Sequence, residues 1–156
     1  MKEQNPRHKE TTACDKCGRL FPNAICSTSP EVWKLLDQVK QKTTFKAHQV
    51  IFYQDSQPLG LYTILSGLVK LEFTSEQGQT HTLRYLGAGS ALGYRSLFSN
   101  ENYQASAIAI EKTEICFIPK ATVMDLFSQH PGAALTILQS LAKDLGLAEA
   151  KWTSQM

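Results

Sequence analysis

Residues Leu61 to Leu71 read LYTILSGLVKL. Two runs of β-branched, aromatic and aliphatic residues, Leu61 to Leu65 and Leu68 to Thr74, are separated by Ser66-Gly67 alone. A connection this short forces the second run back beside the first as an antiparallel partner. Glycine suits the positive φ that such a turn demands.

The same texture continues on both sides. Short candidate strands cover Thr44 to Lys46, Gln49 to Tyr53, Thr80 to Tyr85, Ala105 to Ile110 and Glu114 to Ile118. Asp55-Ser56, Pro58-Leu59-Gly60, Glu76-Gln77-Gly78 and Gly87-Ala88-Gly89 punctuate them as turns. Short, evenly spaced strands predict a β-sandwich or barrel with a roll topology.

Helical signals enclose this region. Ser29-Pro30-Glu31 is a helix start, with a capping hydroxyl, proline in the first turn and an acid at the positive dipole end. Val32, Leu35, Leu36 and Val39 follow at helical spacing, and the helix is expected to end near Gln41. After Pro119, Lys120 to His130 carries Val123, Met124, Leu126 and Phe127. Pro131 opens a long helix whose Leu135, Leu138, Leu141, Ala142, Leu145 and Ala148 form one apolar stripe, fit to wrap the roll or to pair with a second copy. The expected organisation is an arm over 1–28, a β-roll domain over 29–130 and a dimerisation helix over 131–156.

The 156 residues suffice for one domain with its own core. With 42% hydrophobic and 19% charged residues the composition is that of a globular chain. A net charge of +2, with lysines and arginines scattered, is too mild to point to nucleic acid. No apolar run approaches the roughly 18 residues of a membrane span, and the first thirty residues lack the apolar stretch of a signal peptide. A cytoplasmic protein is expected. None of the motifs HExxH, GxSxG, GxGxxG or the phosphate-binding Walker loop occurs, so no enzymatic activity is expected.

Four cysteines are distributed unevenly. Cys14, Cys17 and Cys26 lie in a polar N-terminal stretch, CDKCGRLFPNAIC, and Cys116 lies in the strand candidate ICFIPK. In a reducing compartment a Cys-x2-Cys pair points to metal or redox chemistry. Lys16 and Arg19 beside the pair favour thiolates. The bland alternative is a buried apolar Cys116 and idle thiols on a tail. Zinc is a further alternative, because CDKCG is half of a ribbon-type site whose second half is missing. The histidines His8, His48, His81 and His130 are scattered and suggest no ligand set.

The order helix, antiparallel roll, helix, long helix resembles the cyclic-nucleotide-binding domain over roughly residues 30 to 150. LYTILSGLVKL resembles that family's paired strands joined at glycine, here Gly67. LGAGSALGYRSLF, Leu86 to Phe98, resembles its phosphate-binding cassette, and EICFIPK its last strand. Within that superfamily the cysteines resemble the Fnr-like branch of the Crp/Fnr transcription regulators. The resemblance implies an oxygen-labile [4Fe-4S] cluster on Cys14, Cys17, Cys26 and Cys116 as metal ligands, and a homodimer. Eight residues separate Cys17 from Cys26, a wider gap than in the best-known members. The family places a helix-turn-helix after the long helix; here Met156 follows within a few residues. DNA binding is therefore not expected of this chain alone, and a mixed dimer with a full-length relative is a second way for it to act.

The same resemblance implies a nucleotide site at Gly93, Tyr94, Arg95, Ser96, Leu97 and Ser106. A cyclic phosphate calls for backbone N–H donors and an arginine, and the ribose for a carboxylate. The usual glutamate is replaced by Tyr94, and the arginine position falls on Ala105 or Gln104. Losing a charged hydrogen bond worth about 1.5–3 kcal/mol weakens such a ligand tenfold or more. The expected function is an oxygen or redox sensor signalling through the dimer helix; the alternatives are a cAMP or cGMP module and a ligand-free or zinc-bound dimerisation module.

Overall fold

The computed structural model describes residues 29–156. Ser29 caps the first helix, α1 (Pro30–Val39), its Oγ accepting the Val32 N–H at 3.4 Å. The chain turns extended at Lys40 and enters β1 (Gln41–Phe45) directly. It continues through β2 (Val50–Phe52), β3 (Gly60–Ser66), β4 (Leu68–Thr74), β5 (Thr80–Gly87) and β6 (Ala91–Leu92). A short helix, α2 (Tyr94–Ser99), precedes β7 (Ser106–Ala109) and β8 (Thr113–Pro119). Two helices, α3 (Lys120–Gln129) and α4 (Pro131–Ser154), close the described chain.

The eight strands form two four-stranded antiparallel sheets, ordered β1-β8-β3-β6 and β2-β7-β4-β5. The expected β-roll flanked by helices is the fold. Its pivot is Gly67, where β3 crosses from one sheet to β4 in the other. Gly67 has φ +100°, and a Cβ there would lie 2.4 Å from Thr113 Oγ1 and 2.6 Å from the Lys112 carbonyl. Only glycine fits both constraints.

The first sheet is covered on both faces, which explains why β3 and β8 are apolar almost throughout. Pleating sends Ile64 and Ile115 inward between the sheets, where they meet Phe52, Val69, Leu86, Leu92, Tyr103 and Ala107. It sends Leu61, Cys116 and Ile118 outward against Val32 and Leu36 of α1, Val123 and Leu126 of α3, and Ala133 and Ile137 of α4. The second sheet, by contrast, leaves Leu83 and Tyr85 of β5 largely exposed.

Three sequence expectations change in detail. The first strand starts at Gln41 rather than Thr44, because α1 ends at Val39 and Lys42 pairs across to Glu114 at 3.4 Å. The two-residue strand β6 has no pattern of its own and exists through pairing with Tyr62 and Thr63. The apolar stripe of α4 is two faces, not one. Ala133, Ile137, Leu141 and Ala148 share the side toward the roll, Leu135 and Leu138 are more than half exposed on another, and Leu145, 57% exposed, stands at the border between the two. Along 24 residues a helix projects several faces, and spacing alone does not assign them.

Candidate functional site

A cavity of about 590 Å³ lies between the second sheet, the β6–α2 segment and α4. Leu71, Leu83 and Leu86 come from β4 and β5, Leu92 and Tyr94 from the β6–α2 segment, and Leu141, Leu145 and Ala148 from α4. Phe52 and Tyr103 stack at 3.8 Å and 15° and form part of its wall.

Gly93 sets the entrance to α2. It sits at φ +80°, and a Cβ there would lie 3.2 Å from the Tyr103 ring. The next residue, Tyr94, extends its hydroxyl to α4, where it donates to Asp144 Oδ2. Arg84 Nη1 of β5 approaches the same oxygen at 3.1 Å. Cassette, sheet and long helix therefore meet at one carboxylate. Sequence reading did not single out Arg84 or Asp144. The available signal was Asp144 itself, a lone acid on the roll-facing side of α4, in line with Ile137, Leu141 and Ala148.

Tyr103 is 4% exposed; its buried hydroxyl lies near the Tyr62 hydroxyl and the Leu59 backbone but makes no hydrogen bond of normal geometry among the described residues. Burial pushes its phenol well above the ordinary tyrosine range, and the Coulombic influence of Tyr62 adds to the rise. Burial raises the Tyr62 phenol too.

The residues expected to hold a nucleotide separate into two groups. Gly93, Tyr94, Arg95 and Ser96 line the cavity, as do Gln104 and Ala105. The Arg95 side chain, half exposed, pairs outward with Glu101 at 3.3 Å. Leu97 is in the helix-side core, and Ser106 Oγ accepts the Gln54 N–H at 2.8 Å; neither lines the cavity.

Of the expected metal ligands, Cys14, Cys17 and Cys26 lie outside the described residues. Cys116 is on β8, 6% exposed, in the cluster that includes Val32 and Leu36 of α1. It stands opposite Lys42 on one side and Thr63 on the other, so its apolar setting borders the Lys42–Glu114 ion pair. The helix packed over it, α1, begins four positions after Cys26 in the chain. Cys116 is the one cysteine among the described residues, and no group of three or more His, Cys, Asp or Glu side chains there could by itself hold a metal ion.

Residues 42–130 match the cyclic nucleotide-binding domain family. The chain belongs to that family: the roll, the cassette and the cavity under α4 are its plan in this molecule. Its relatives place it among chains similar to the Crp/Fnr regulators. It is 32% identical over 121 residues to the cyclic AMP receptor protein of Thermus thermophilus, covering 78% of this chain and 56% of that protein. The crystal structure of the Thermus thermophilus catabolite activator protein superposes with TM-score 0.72 at 31% identity, covering 80% of this chain and 59% of that one. The fumarate and nitrate reduction regulatory protein of Yersinia pestis is 25% identical over 115 residues, 74% of this chain and 46% of that protein. The chain thus spans about half the length of these curated relatives. No helix among the described residues is long and apolar enough to cross a membrane.

Proposed function

We propose that this chain is the sensory part of a cytoplasmic Crp/Fnr-type transcription regulator. It reads oxygen or redox state through a [4Fe-4S] cluster on Cys14, Cys17, Cys26 and Cys116, and it signals by changing how α4 pairs in a homodimer. The observation that carries this reading is the position of Cys116, in the same buried cluster as α1 and the first turns of α4. A change at that thiol is felt at once by the helix that leads from the N-terminal segment and by the helix that exposes Leu135 and Leu138. Similarity to the Yersinia regulator supports the reading. A bound cluster supplies an oxidant-labile tie; the protein's own part is to hold one ligand rigidly and to couple two helices through it. Mixed dimers with a full-length relative would use the same face of α4.

The test is the substitution Cys116→Ser in protein purified without oxygen. Loss of the visible chromophore with the fold retained is the expected result; unchanged cluster content would overturn the proposal.

A second reading rests on a different observation, the cavity of about 590 Å³ against α4. There the signal is a small molecule, a cyclic nucleotide or another compound, whose occupancy shifts the same helix. Binding that changes dimer stability would support it, and absence of any cavity-dependent binding would remove it.

A further inference from the structure

The cavity's chemistry says what kind of molecule suits it. Its walls are leucines, alanines and the Phe52–Tyr103 stack, and its volume lies within the roughly 300–1,000 Å³ of small-molecule sites. Its charged groups are already matched. Arg84 is neutralised by Asp144 at 3.1 Å, and Arg95 turns outward to Glu101 at 3.3 Å. An anionic phosphate entering here finds Arg84 held by Asp144 and Arg95 held by Glu101, and has to compete with a carboxylate for either cation. A neutral molecule meets mostly apolar surface, and the polar groups it passes are Ser96, the exposed Gln104 amide and the already ion-paired Arg84, Asp144 and Arg95.

We propose that the cavity takes a neutral, largely apolar small molecule in place of a cyclic nucleotide, leaving the Arg84–Asp144–Tyr94 contact intact. This inference rests on the second reading above, that the cavity receives a signal. The molecule lies directly on Leu141, Leu145 and Ala148, three residues of the helix that carries the exposed leucine face. Occupancy therefore fills the space under α4 and braces it against the roll.

The test is fluorescence titration of the full chain with N-phenyl-1-naphthylamine, a neutral apolar dye that brightens on leaving water. The expected result is saturable brightening that a large excess of cAMP does not reverse. Ala148→Trp and Ala91→Phe, which narrow the cavity from the helix side and from the β6 side, each weaken it at least about tenfold. Leu138→Ser, at an exposed position outside the cavity lining, leaves it unchanged. Circular dichroism confirms that each variant is folded, and either cavity variant alone suffices. Brightening reversed by cAMP overturns the neutral class while keeping the cavity as the receiving site. Brightening insensitive to both cavity variants, or sensitive to Leu138→Ser, assigns the dye to the exposed leucine face and overturns the proposal. If neither dye nor cAMP binds, the proposal and the second reading fail together.

Discussion

The Tyr94 hydroxyl donates a hydrogen bond to the Asp144 carboxylate, joining the start of α2 to the long helix across fifty positions of sequence. Arg84 engages the same carboxylate from β5, so one acidic side chain of α4 is held from two elements of the roll. A displacement of either the cassette or the sheet would reach α4 through this contact.

Replacing Asp144 with Asn removes the ion pair and weakens the Tyr94 contact. The side chains of Arg84 and Asp144 are 39% and 27% exposed, so the stability cost is expected to stay within about 1 kcal/mol. The local effect is larger: amide exchange in α4 near Leu141 to Ala148 is expected to accelerate while the strands stay protected. Uniform exchange rates across variant and parent would show that the contact does not hold the helix.

Gly67→Ala places a Cβ at positive φ and against the Thr113 hydroxyl and the Lys112 carbonyl. The expected loss is about 2–4 kcal/mol in urea unfolding. Gly78→Ala is the matched control, at φ +80° with nothing within 4 Å, and is expected to lose only about 1–2 kcal/mol. Equal losses at the two positions would mean that the close approach at the sheet crossing is unimportant.

Much of this architecture is legible in the sequence, because local chemistry specifies it. Ser29-Pro30 starts α1, Ser66-Gly67 turns β3 into β4 and Pro131 opens α4 where expected. The strand pair around Gly67 survives intact because each residue's preference and the long-range fold agree. What escapes is set by distant partners. The strand β6 is too short to have a period and is made by Tyr62 and Thr63. The Tyr94–Asp144–Arg84 contact joins three segments, and none of its residues forms a motif with another. Ser106 accepts the N–H of Gln54, 52 positions earlier in the chain, a partner that no local pattern announces.

Tyr103→Phe removes a buried hydroxyl that has no hydrogen bond of normal geometry among the described residues and keeps the ring stacked on Phe52. The variant is expected to match or exceed the parent in stability, by up to about 1 kcal/mol. The alkaline behaviour follows from the direction of the shift. The folded-state phenol titrates above its ordinary value of 10.0, whereas the unfolded chain titrates near it. Above that pH the unfolded state binds fewer protons than the folded state, so stability falls as pH rises. Melting temperature should therefore decline more steeply above about pH 10 in the parent than in Tyr103→Phe, with Tyr62 leaving a residual slope. Parallel curves would contradict the assignment of the loss to Tyr103.

Leu138 is 60% exposed on the outer face of α4, one turn from the similarly exposed Leu135. Leu138→Glu is expected to shift sedimentation toward the monomer while leaving the melting of the roll nearly unchanged. A dimer that persists in this variant would place the pairing surface elsewhere.

In the proposed function the four cysteines hold an oxidant-labile cluster that ties the N-terminal segment to the strand bearing Cys116. Iron, acid-labile sulfide and zinc content, measured with the visible spectrum on protein purified without oxygen, decides whether that cluster exists. About four irons per chain, with a broad absorbance that bleaches in air, is the predicted result. Colourless, iron-free protein would contradict the claim; stoichiometric zinc would then assign the cysteines to a structural site, and no metal at all would leave the cavity as the sensing element.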